Sequence, residues 1–524
     1  MKVVTVEEMR WLEERSVAAG VSLDSLMEAS GLAVARRIAL MEDSMRGKRI
    51  IVLVGPGNNG GDGMVAARFL SDWGALVTLY MTSARRREDK LEECRSRRVR
   101  IVEGTDDLDH WALSSYLPLT DIVVDAVLGI GQALPLDNAL KDLCVKLTSI
   151  KDDHPALKLI AVDVPTGVDA NTGVVDDACA SADLTISLGA PKVGLLRFPA
   201  AEHVGHLETV DIGMPSNIDS ALSLDLAGDT PVGLLLPNRP LSSHKGTFGR
   251  LLVVAGSRNY VGAPVLACSG AYRSGAGLVT LATPNSVYKL AAAQMLESTY
   301  LPLAETPAGN VAPDGARAVR SAFSGVDAAV IGPGLGQTEP VQEFIHHALL
   351  VEPSPGIPLV LDADALNCLA MAYRWWERLS TPSVLTPHPG ELSRLLRLDV
   401  SDIQDDRLTA ARRAAERWGQ VVVLKGAYTV VASPDERMSI SPFANPALAS
   451  AGTGDVLSGV IGALLAQGLA PYEAAVTGVH LHATAGEQLR YDLGDAGLIA
   501  SDLLNVLPRV IKDLREGARQ VAPP

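Results

Sequence analysis

Short runs of consecutive apolar residues, many of them β-branched, recur along the chain between stretches with helical periodicity. Runs of this kind, bounded by Gly and Pro, predict the strands of parallel sheets that are covered on both faces. In the first half of the chain the predicted strands are Arg49–Val54, Leu76–Met81, Asp121–Ala126, Leu159–Val164 and Leu184–Leu188. In the second half they are Arg250–Ala255, Leu278–Ala282, Ala328–Ile331, Leu359–Leu361, Ser383–Leu385 and Val421–Leu424. Their alternation with helical patterns indicates βαβ units and an α/β fold.

A turn-rich stretch divides this pattern near Pro215–Pro240, where polar residues, glycines and prolines replace the apolar runs. Each side has enough predicted strands for a sheet of its own, and no fixed-period repeat relates the two sides. We therefore predict two separate α/β domains, at residues 1–222 and 223–524.

Composition and charge narrow the classes of function. The 524 residues carry a formal net charge of −15, which disfavours a nucleic-acid binder. The local exception, Arg85–Arg87 followed by Arg95, Arg97 and Arg98, is interpreted as a solvated helix face. The five cysteines form no CxxC pair, which favours a reduced cytoplasm and no zinc site. We find no signal peptide and no apolar run of membrane-spanning length, so we expect no membrane partner.

The first chemical motif is the glycine-rich segment Gly55–Gly63, which follows the strand Arg49–Val54 and precedes a helical pattern at Met64 to Trp73. A strand, a glycine-rich turn and a helix together form a cradle for an anion. The segment is neither a Walker A motif nor a clean G-x-G-x-x-G motif. A tight structural turn is the alternative, but Asn58, Asn59 and Asp62 supply more polar groups than a turn needs.

Three more segments in the first half follow predicted strands: Asp125–Gly131, Asp163–Asp169 and Gly189–Lys192. In an open α/β sheet such loops converge on one crevice. Asp125 and Asp163 would then act as a general base or help to hold a hard cation. The alternative is that both aspartates only cap turns.

The first three motifs resemble those of the NAD(P)H-hydrate epimerase family, over about the first 215 residues. The resemblance implies a Rossmann-like three-layer domain that interconverts the two epimers of hydrated nicotinamide cofactors. It implies that Asp163 is the catalytic acid/base, and that a potassium ion is held by Asn59, Asp125 and Thr166. The residues that it implies in cofactor binding are Asn58, Asn59, Gly60, Gly61, Asp62, Gly129, Ile130, Gly131, Gln132, Ala133, Leu134 and Pro135.

The second half contains Gly452–Asp455 immediately before the apolar run Val456 to Leu465, which predicts a helix. Two glycines bring backbone N–H groups close to an anion, and the positive end of the helix faces the same anion. Asp455 would take a proton from a hydroxyl that attacks a phosphoryl group. A surface turn with a capping aspartate is the alternative.

Other loops of the second half also follow predicted strands. Gly332–Gly336 allows close approach of a ligand to the backbone. Lys425 either neutralises phosphate charge or ends an exposed strand, and the sequence leaves both possibilities open. His388 lies between two prolines on a stiff loop with Glu391 nearby. These loops indicate one binding site along a sheet edge.

The second half resembles the ribokinase-like superfamily, and within it the ADP/ATP-dependent NAD(P)H-hydrate dehydratases, from about Leu235 onward. Ala449–Asp455 departs from the Asp-Thr-x-Gly-Ala-Gly-Asp motif of sugar kinases, which counts against that activity. The resemblance implies an α/β/α domain with Asp455 as the base. The residues that it implies in ligand binding are Ala263, Gly334, Gly336, His388, Pro389, Gly390, Glu391, Lys425, Gly426, Ala427, Tyr428, Thr429, Asn445, Ala451, Gly452, Thr453 and Gly454.

The two resemblances together imply a bifunctional repair enzyme. Its substrates would be NADHX and NADPHX, the hydrates of NADH and NADPH, together with Mg²⁺ and ADP or ATP; resemblance to bacterial members favours ADP. We also expect a homo-oligomer. One alternative is a small-molecule kinase with an accessory domain, which would leave a stable phosphorylated product. The other is a non-catalytic nucleotide-binding module in the first half, against which the set Asn59, Asp125 and Asp163 argues.

Overall fold

The computed structural model describes residues 1–83, 89–97, 99–107 and 110–521. The chain divides into two compact units, Met1–Ser223 and Leu224–Pro524. The predicted solvated face at Arg85–Arg87 and Arg98 lies outside the described residues. Over the described ranges no single helix is long and apolar enough to cross a membrane; one pair of N-terminal helices, bent by 118°, meets the length and composition criteria only when taken together.

The first unit is built on a seven-stranded sheet in the order β3-β2-β1-β4-β5-β6-β7. All neighbouring strands are parallel. The strands are β1 (Arg49–Val54), β2 (Leu76–Met81), β3 (Arg100–Glu103), β4 (Ile122–Ala126), β5 (Lys158–Val162), β6 (Leu184–Leu188) and β7 (His206–Val210). Strand order reverses between β1 and β4, and ligands of open α/β sheets bind in the crevice at such a point.

Helices cover both faces of this sheet, which gives three layers. They are α1 (Val6–Ala18), α2 (Leu23–Ala39), α3 (Asn58–Asp72), α4 (Asp89–Arg95), α5 (Trp111–Tyr116) and α6 (Asn138–Asp153). α1 begins with a capping box, in which Thr5 accepts from the N–H of Glu8 and the Glu8 carboxylate accepts from the N–H of Thr5. The central strands are buried on both faces, because alternate residues of β1 enter different apolar clusters.

The second unit contains a ten-stranded sheet in the order β11-β10-β9-β12-β13-β14-β15-β16-β17-β8. The segment from β11 to β15 is parallel, whereas β16 is antiparallel to both of its neighbours. The strands are β8 (Leu224–Leu226), β9 (Arg250–Val254), β10 (Leu278–Pro284), β11 (Thr299–Leu303), β12 (Ala328–Ile331), β13 (Leu359–Leu361), β14 (Ser383–Leu385), β15 (Val421–Leu424), β16 (Val430–Ala432) and β17 (Met438–Ile440).

Two helical layers enclose this sheet and form separate apolar clusters on its two faces. The helices are α7 (Asp229–Leu235), α8 (Gly262–Arg273), α9 (Asn285–Ala292), α10 (Gly315–Phe323), α11 (Glu339–Leu349), α12 (Asp364–Met371), α13 (Pro389–Leu396), α14 (Val400–Asp405), α15 (Arg407–Trp418), α16 (Thr453–Ala466), α17 (Pro471–Leu493) and α18 (Ala500–Val521). Strand order reverses between β9 and β12, so a second crevice is expected there. The predicted α/β class is confirmed, with a Rossmann-like strand order in the first unit and an α/β/α arrangement in the second.

Several predicted boundaries were wrong, for local reasons. β4 begins at Ile122 because the Asp121 carboxylate turns aside to accept from the N–H of Arg49, at 2.8 Å. β5 ends at Val162 because Asp163 adopts a left-handed backbone with φ of 67°. β9 ends one residue early and β10 extends to Pro284.

Candidate active sites

Most of the glycine-rich segment after β1, from Asn58 onward, is helical rather than a loop, which corrects the predicted helix start at Met64. α3 begins at Asn58, so Asn58–Asp62 lie at its N-terminus. Glycine is weak in isolated helices, but here close packing requires it. A Cβ on Gly55 would lie 1.8 Å from the carbonyl oxygen of Val127, and one on Gly60 would lie 2.2 Å from that of Gly55. The segment therefore brings the end of α3 against the loop that follows β4.

A cavity of about 410 Å³ opens at this end of α3, and we call it the Asp163 cavity. The predicted residues that line it are Asn58, Asn59, Asp62, Gly129, Ile130, Gly131, Gln132 and Asp163. Gly60, Gly61, Ala133, Leu134 and Pro135 are not among its lining residues. Gln132 has a structural role as well, because its amide oxygen accepts from the N–H of Gly167 at 2.8 Å.

Asp163 is paired with a lysine that sequence analysis left without a role. The Lys192 ammonium donates to the Asp163 carboxylate, and also to the carbonyl oxygen of Leu188 at 2.9 Å. The same carboxylate accepts from the N–H of Leu188 at 2.9 Å. The side chain of Lys192 is fully buried, so the ion pair has little competition from water. The Asp163 cavity therefore has a fixed carboxylate at its wall.

Two of the predicted cation ligands, Asp125 and Thr166, are bonded to each other, and the third, Asn59, lines the cavity and is bonded to the loop after β4. The N–H and hydroxyl of Thr166 donate to the two carboxylate oxygens of Asp125, at 2.8 and 2.7 Å. Asn59 donates through its amide nitrogen to the carbonyl oxygen of Leu128 at 2.9 Å. The amide oxygen of Asn59 is buried and has no hydrogen-bond partner in the described part of the chain. Burial raises the pKa of Asp125, although the bonds from Thr166 act in the opposite direction. The oxygens present suit a hard cation.

In the second unit, Gly452 and Asp455 lie at the start of α16. Gly452 precedes the helix with φ of 90°, a left-handed conformation that favours glycine. The Thr453 hydroxyl donates to the carbonyl oxygens of Leu448 and Ser450, at 3.0 and 2.9 Å. His482 anchors the same turn from α17, because its Nε2 donates to the carbonyl oxygen of Thr453 at 2.9 Å. Burial lowers the pKa of His482 to about 4, so this histidine is neutral.

The charged groups nearest Asp455 include Asp362, which follows β13 and is bonded to Lys425. Lys425 donates to Asp362 Oδ1 at 2.6 Å, and the Ser458 hydroxyl donates to Asp362 Oδ2. Burial lowers the pKa of Lys425, but the charges of Asp362 and Glu391 more than offset this and raise it overall. β15, which Lys425 follows, is buried throughout, so Lys425 does not end an exposed strand; its role toward phosphate stays a prediction.

Asp455 itself has no cation bonded to it. Its carboxylate makes no hydrogen bond or ion pair within the described residues. Burial raises the pKa of Asp455 to about 7, with further contributions from the negative charges of Asp362 and Asp364, while Lys425 acts in the opposite direction. A carboxyl group with a pKa near neutrality is suited to general-base catalysis.

His388 and Glu391 form a capping box at the start of α13. His388 Nδ1 accepts from the N–H of Gly390 at 3.0 Å, and the Glu391 carboxylate accepts from the N–H of His388 at 2.9 Å. Burial raises the pKa of Glu391 to about 7, and burial also lowers the pKa of His388. Pro389 and Gly390 occupy the first turn, so the backbone here is held rigidly beside Lys425, whose Nζ lies 3.8 Å from Glu391.

The three glycines after β12, Gly332, Gly334 and Gly336, differ in what they contact. A Cβ on Gly332 would lie 1.8 Å from the carbonyl oxygen of Asp362, so this glycine serves packing within the protein rather than ligand approach. A Cβ on Gly334 would lie 3.1 Å from that of Ala263, which brings these two predicted residues together. The N–H of Gly336 donates to the Asp364 carboxylate at 2.8 Å.

The remaining predicted ligand-binding residues belong to the segments after β15 and before α16. Gly426, Ala427, Tyr428 and Thr429 connect β15 to β16, and the Thr429 hydroxyl donates to the carbonyl oxygen of Gly426 at 2.8 Å. Asn445 Oδ1 accepts from the N–H of Ala447 at 2.9 Å. Asn445 Nδ2 is buried without a partner in the described ranges, which leaves a donor free for a ligand. Ala451 and Gly454 flank the glycine turn, and a Cβ on Gly454 would lie 3.6 Å from Lys425 Nζ.

Three residues of the first unit were missed as candidates: Arg10, Glu13 and Lys192 all line the Asp163 cavity. Lys192 stands within a predicted strand-following loop between two apolar stretches, and a lysine in such surroundings signals a buried partner. Arg10 and Glu13 lie in a helical segment rich in charged residues, where a single charged side chain does not indicate a buried partner.

Two family models match the chain. The model described as NAD(P)H-hydrate dehydratase matches residues 251–509, and the one described as YjeF-related protein N-terminus matches residues 23–194.

Whole-length relatives share the name bifunctional NAD(P)H-hydrate repair enzyme. The chain is 37% identical to the one from Moorella thermoacetica, over 98% of this chain and 98% of that protein. It is 38% identical to the one from Thermofilum pendens, over 99% of this chain and 98% of that protein. Among solved structures, the ADP/ATP-dependent NAD(P)H-hydrate dehydratase of Bacillus subtilis, co-crystallized with ATP/Mg²⁺, is 36% identical with a TM-score of 0.49, over 56% of this chain and 100% of that one.

Proposed function

The chain belongs to the family of bifunctional NAD(P)H-hydrate repair enzymes, and on this premise we propose a division of the repair between its two units. The first unit, with Asp163, interconverts the R and S hydrates of NADH and NADPH. The second, with Asp455, dehydrates the S form with a nucleotide and releases phosphate. The observation that supports this most directly is that the two aspartates have different surroundings. Asp163 is bonded to Lys192, whereas Asp455 has a pKa of about 7.

Dehydration is proposed to proceed through a phosphorylated hydrate. Asp455 accepts the proton of the substrate hydroxyl as its oxygen attacks the terminal phosphorus of the nucleotide. The N–H groups at the start of α16 stabilise the charge on the transferring phosphoryl group. The C–O bond then breaks with phosphate as the leaving group, a proton is lost from the ring, and the nicotinamide double bond is restored. Phosphate leaves far more readily than hydroxide, which is why a nucleotide is consumed.

The proposed ions differ between the two units. Asn59, Asp125 and Thr166 would hold potassium in the first unit, and the unpartnered amide oxygen of Asn59 supports a cation there. In the second unit, the described residues contain no group of three His, Cys, Asp or Glu side chains that could hold a metal. Mg²⁺ would therefore enter with the nucleotide and be held largely by its phosphates, as is usual for this ion.

One assay tests the proposed function. The full chain is incubated with mixed hydrate epimers, Mg²⁺ and either ADP or ATP, while NADH absorbance and free phosphate are followed. We expect both epimers to be consumed and phosphate to form in equal amount to NADH. Accumulation of a stable phosphorylated product would instead support the alternative of a small-molecule kinase. The ratio of the two nucleotide rates identifies the phosphoryl donor, for which we propose ADP.

A further inference from the structure

The N-terminal helix α1 contributes one wall of the Asp163 cavity. Met9, Arg10 and Glu13 lie on one face of this helix, as their spacing requires, and all three line the cavity. This helix precedes residue 23, where the match to the family model of the first unit begins. No role for Glu13 follows from that match.

The position of α1 is fixed directly against the loop that contains Lys192. The N–H of Val4 donates to the carbonyl oxygen of Pro191 at 3.0 Å, and the N–H of Val193 donates to that of Val4 at 2.9 Å. These two bonds flank Lys192 on both sides. Because Lys192 also binds Asp163, the start of α1 and the carboxylate of Asp163 are held on one continuous framework.

Glu13 is a carboxyl group on this wall that has no partner among the described residues. It forms no hydrogen bond or ion pair with any residue that the structure describes. A half-buried carboxyl in a cavity completes its hydrogen bonds with water or with a ligand. The charged groups that face it are Arg10 on its own helix, Asp163 after β5 and Lys192 after β6. Burial raises the pKa of Glu13, and the charge of Asp163 raises it further, whereas Lys192 and Arg10 act in the opposite direction.

We propose that Glu13 is a second catalytic residue of the epimerase. It exchanges a proton with the hydroxyl of the hydrate, and it acts as the acid when Asp163 acts as the base. This inference rests on the epimerisation proposed above. The hydrate has its hydroxyl on the ring carbon next to nitrogen. Glu13 gives a proton to that hydroxyl, the C–O bond breaks, water leaves with the bonding electrons, and the nitrogen lone pair forms a C=N bond. Water then adds to the other face of the ring, the nitrogen regains its lone pair, and Asp163 accepts the surplus proton.

The two carboxyl groups are suited to these different roles by their surroundings. The Asp163 carboxylate is bonded to an ammonium group, and we assign it the accepting role. Glu13 is bound to no cation and is the group disposed to carry a proton. Pairs of carboxyl groups in unlike surroundings divide acid and base roles in this way. A proton returns from Asp163 to Glu13 through cavity water, so the enzyme is unchanged after each turnover, and the reverse reaction uses the same groups with exchanged roles.

The test is to follow the interconversion of purified R hydrate into S hydrate by the full chain, without nucleotide, across a range of pH. Glu13→Gln keeps the shape and removes the acidic proton, so we expect a loss of about 10²–10⁴-fold at neutral pH. In the unmodified chain, epimerisation is expected to decline at high pH as Glu13 loses its proton. That decline must be absent from the residual activity of Glu13→Gln, and Glu13→Asp must restore part of the rate.

Two controls separate this role from a structural one. Glu14→Gln changes the neighbouring, exposed glutamate, which does not line the cavity, and should epimerise normally. Dehydration of pure S hydrate by Glu13→Gln should match that of the unmodified chain. Normal epimerisation by Glu13→Gln, or a uniform loss with an unaltered pH profile, overturns the role of Glu13 alone. Failure of the unmodified chain to interconvert the hydrates overturns the proposed function together with this inference.

Discussion

The Asp163 cavity and the Asp455 site each contain an aspartate and a lysine, but only in the first is the lysine bonded to that aspartate. In both units an aspartate lies at the carboxyl edge of a parallel sheet beside a glycine-assisted helix start. In the first unit the buried Lys192 is bonded to the aspartate itself. In the second unit Lys425 is bonded to a neighbour, Asp362, and Asp455 is left with a pKa of about 7. The chemistry of a buried carboxyl therefore depends on which carboxyl receives the nearby cation.

The largest expected effect comes from removing the proposed base of the second unit, Asp455. Asp455→Asn keeps the size of the side chain and removes its basicity, so dehydration of S hydrate should fall by about 10²–10⁴-fold. Epimerisation should be unchanged, because the residues that line the Asp163 cavity all belong to the first unit. Rates of NADH formation and of R-to-S interconversion measure the two activities separately. Near-normal dehydration by this variant would refute the role of Asp455.

The matching change in the first unit should produce the opposite pattern. Asp163→Asn should reduce epimerisation by about 10²–10³-fold while dehydration of pure S hydrate continues normally. With mixed epimers the reaction should stop when the S form is exhausted, apart from slow spontaneous epimerisation. Addition of the full-length Asp455→Asn variant should then restart it. An equal loss of dehydration would show that the two activities are not divided between the units as proposed.

The pH dependence of dehydration tests whether burial and the charge of Asp362 raise the pKa of Asp455. Asp455 acts as a base only when deprotonated, so with a pKa of about 7 the rate should rise about tenfold between about pH 6 and pH 8. Asp362→Asn removes a negative charge and frees the Lys425 ammonium, and both changes lower the pKa of Asp455. The rise should therefore move to lower pH. Glu391, whose pKa is also raised to about 7, is controlled with Glu391→Gln, which must keep the rise. An unmoved rise in Asp362→Asn would contradict this account.

The smallest effect is expected from potassium, and only in the first unit. Replacing potassium with choline at equal ionic strength should slow epimerisation and leave dehydration unaffected. A ligand present at 10 to 100 times its dissociation constant stabilises a fold by about 1.4–2.7 kcal/mol, so the first unit should also melt at a lower temperature without potassium. Asn59→Ala should abolish this response to potassium, because it removes the unpartnered oxygen. A response that persists in Asn59→Ala would place the ion elsewhere.

Sequence patterns predicted the central sheet better than its edges. The predicted strands Arg49–Val54, Leu76–Met81 and Ala328–Ile331 match the observed ones residue for residue, because buried parallel strands are continuous apolar runs. β16 and β17 were missed although the equally short β13 and β14 were predicted, because β16 and β17 follow β15 as antiparallel strands without an intervening helical pattern. β7 was missed because three of its five residues are polar and none is buried.

The candidate sites were likewise predictable only in part. Residues within one motif, such as Gly452–Asp455, could be read because the glycines and the helix start lie side by side in the chain. The pairing of Lys192 with Asp163, 29 residues apart, depends on how two loops meet and leaves no spacing to read. The ammonium of Lys425 and the carboxylate of Asp362, 63 residues apart, are brought together in the same way. Polar partners across a crevice are fixed by tertiary structure, not by local pattern.

The division of one chain into two units has a consequence for how a cell controls the repair. Since both units are translated from one message, every copy of the protein delivers one site of each kind. A change in the transcription of this gene cannot alter the ratio of the two kinds of site that this chain supplies. Within this chain the balance can shift only through small molecules that act on one unit, such as the nucleotide used for dehydration, or through inherited substitutions confined to one of them. A population that needs more of one step must therefore change the turnover of that site rather than the dosage of its gene.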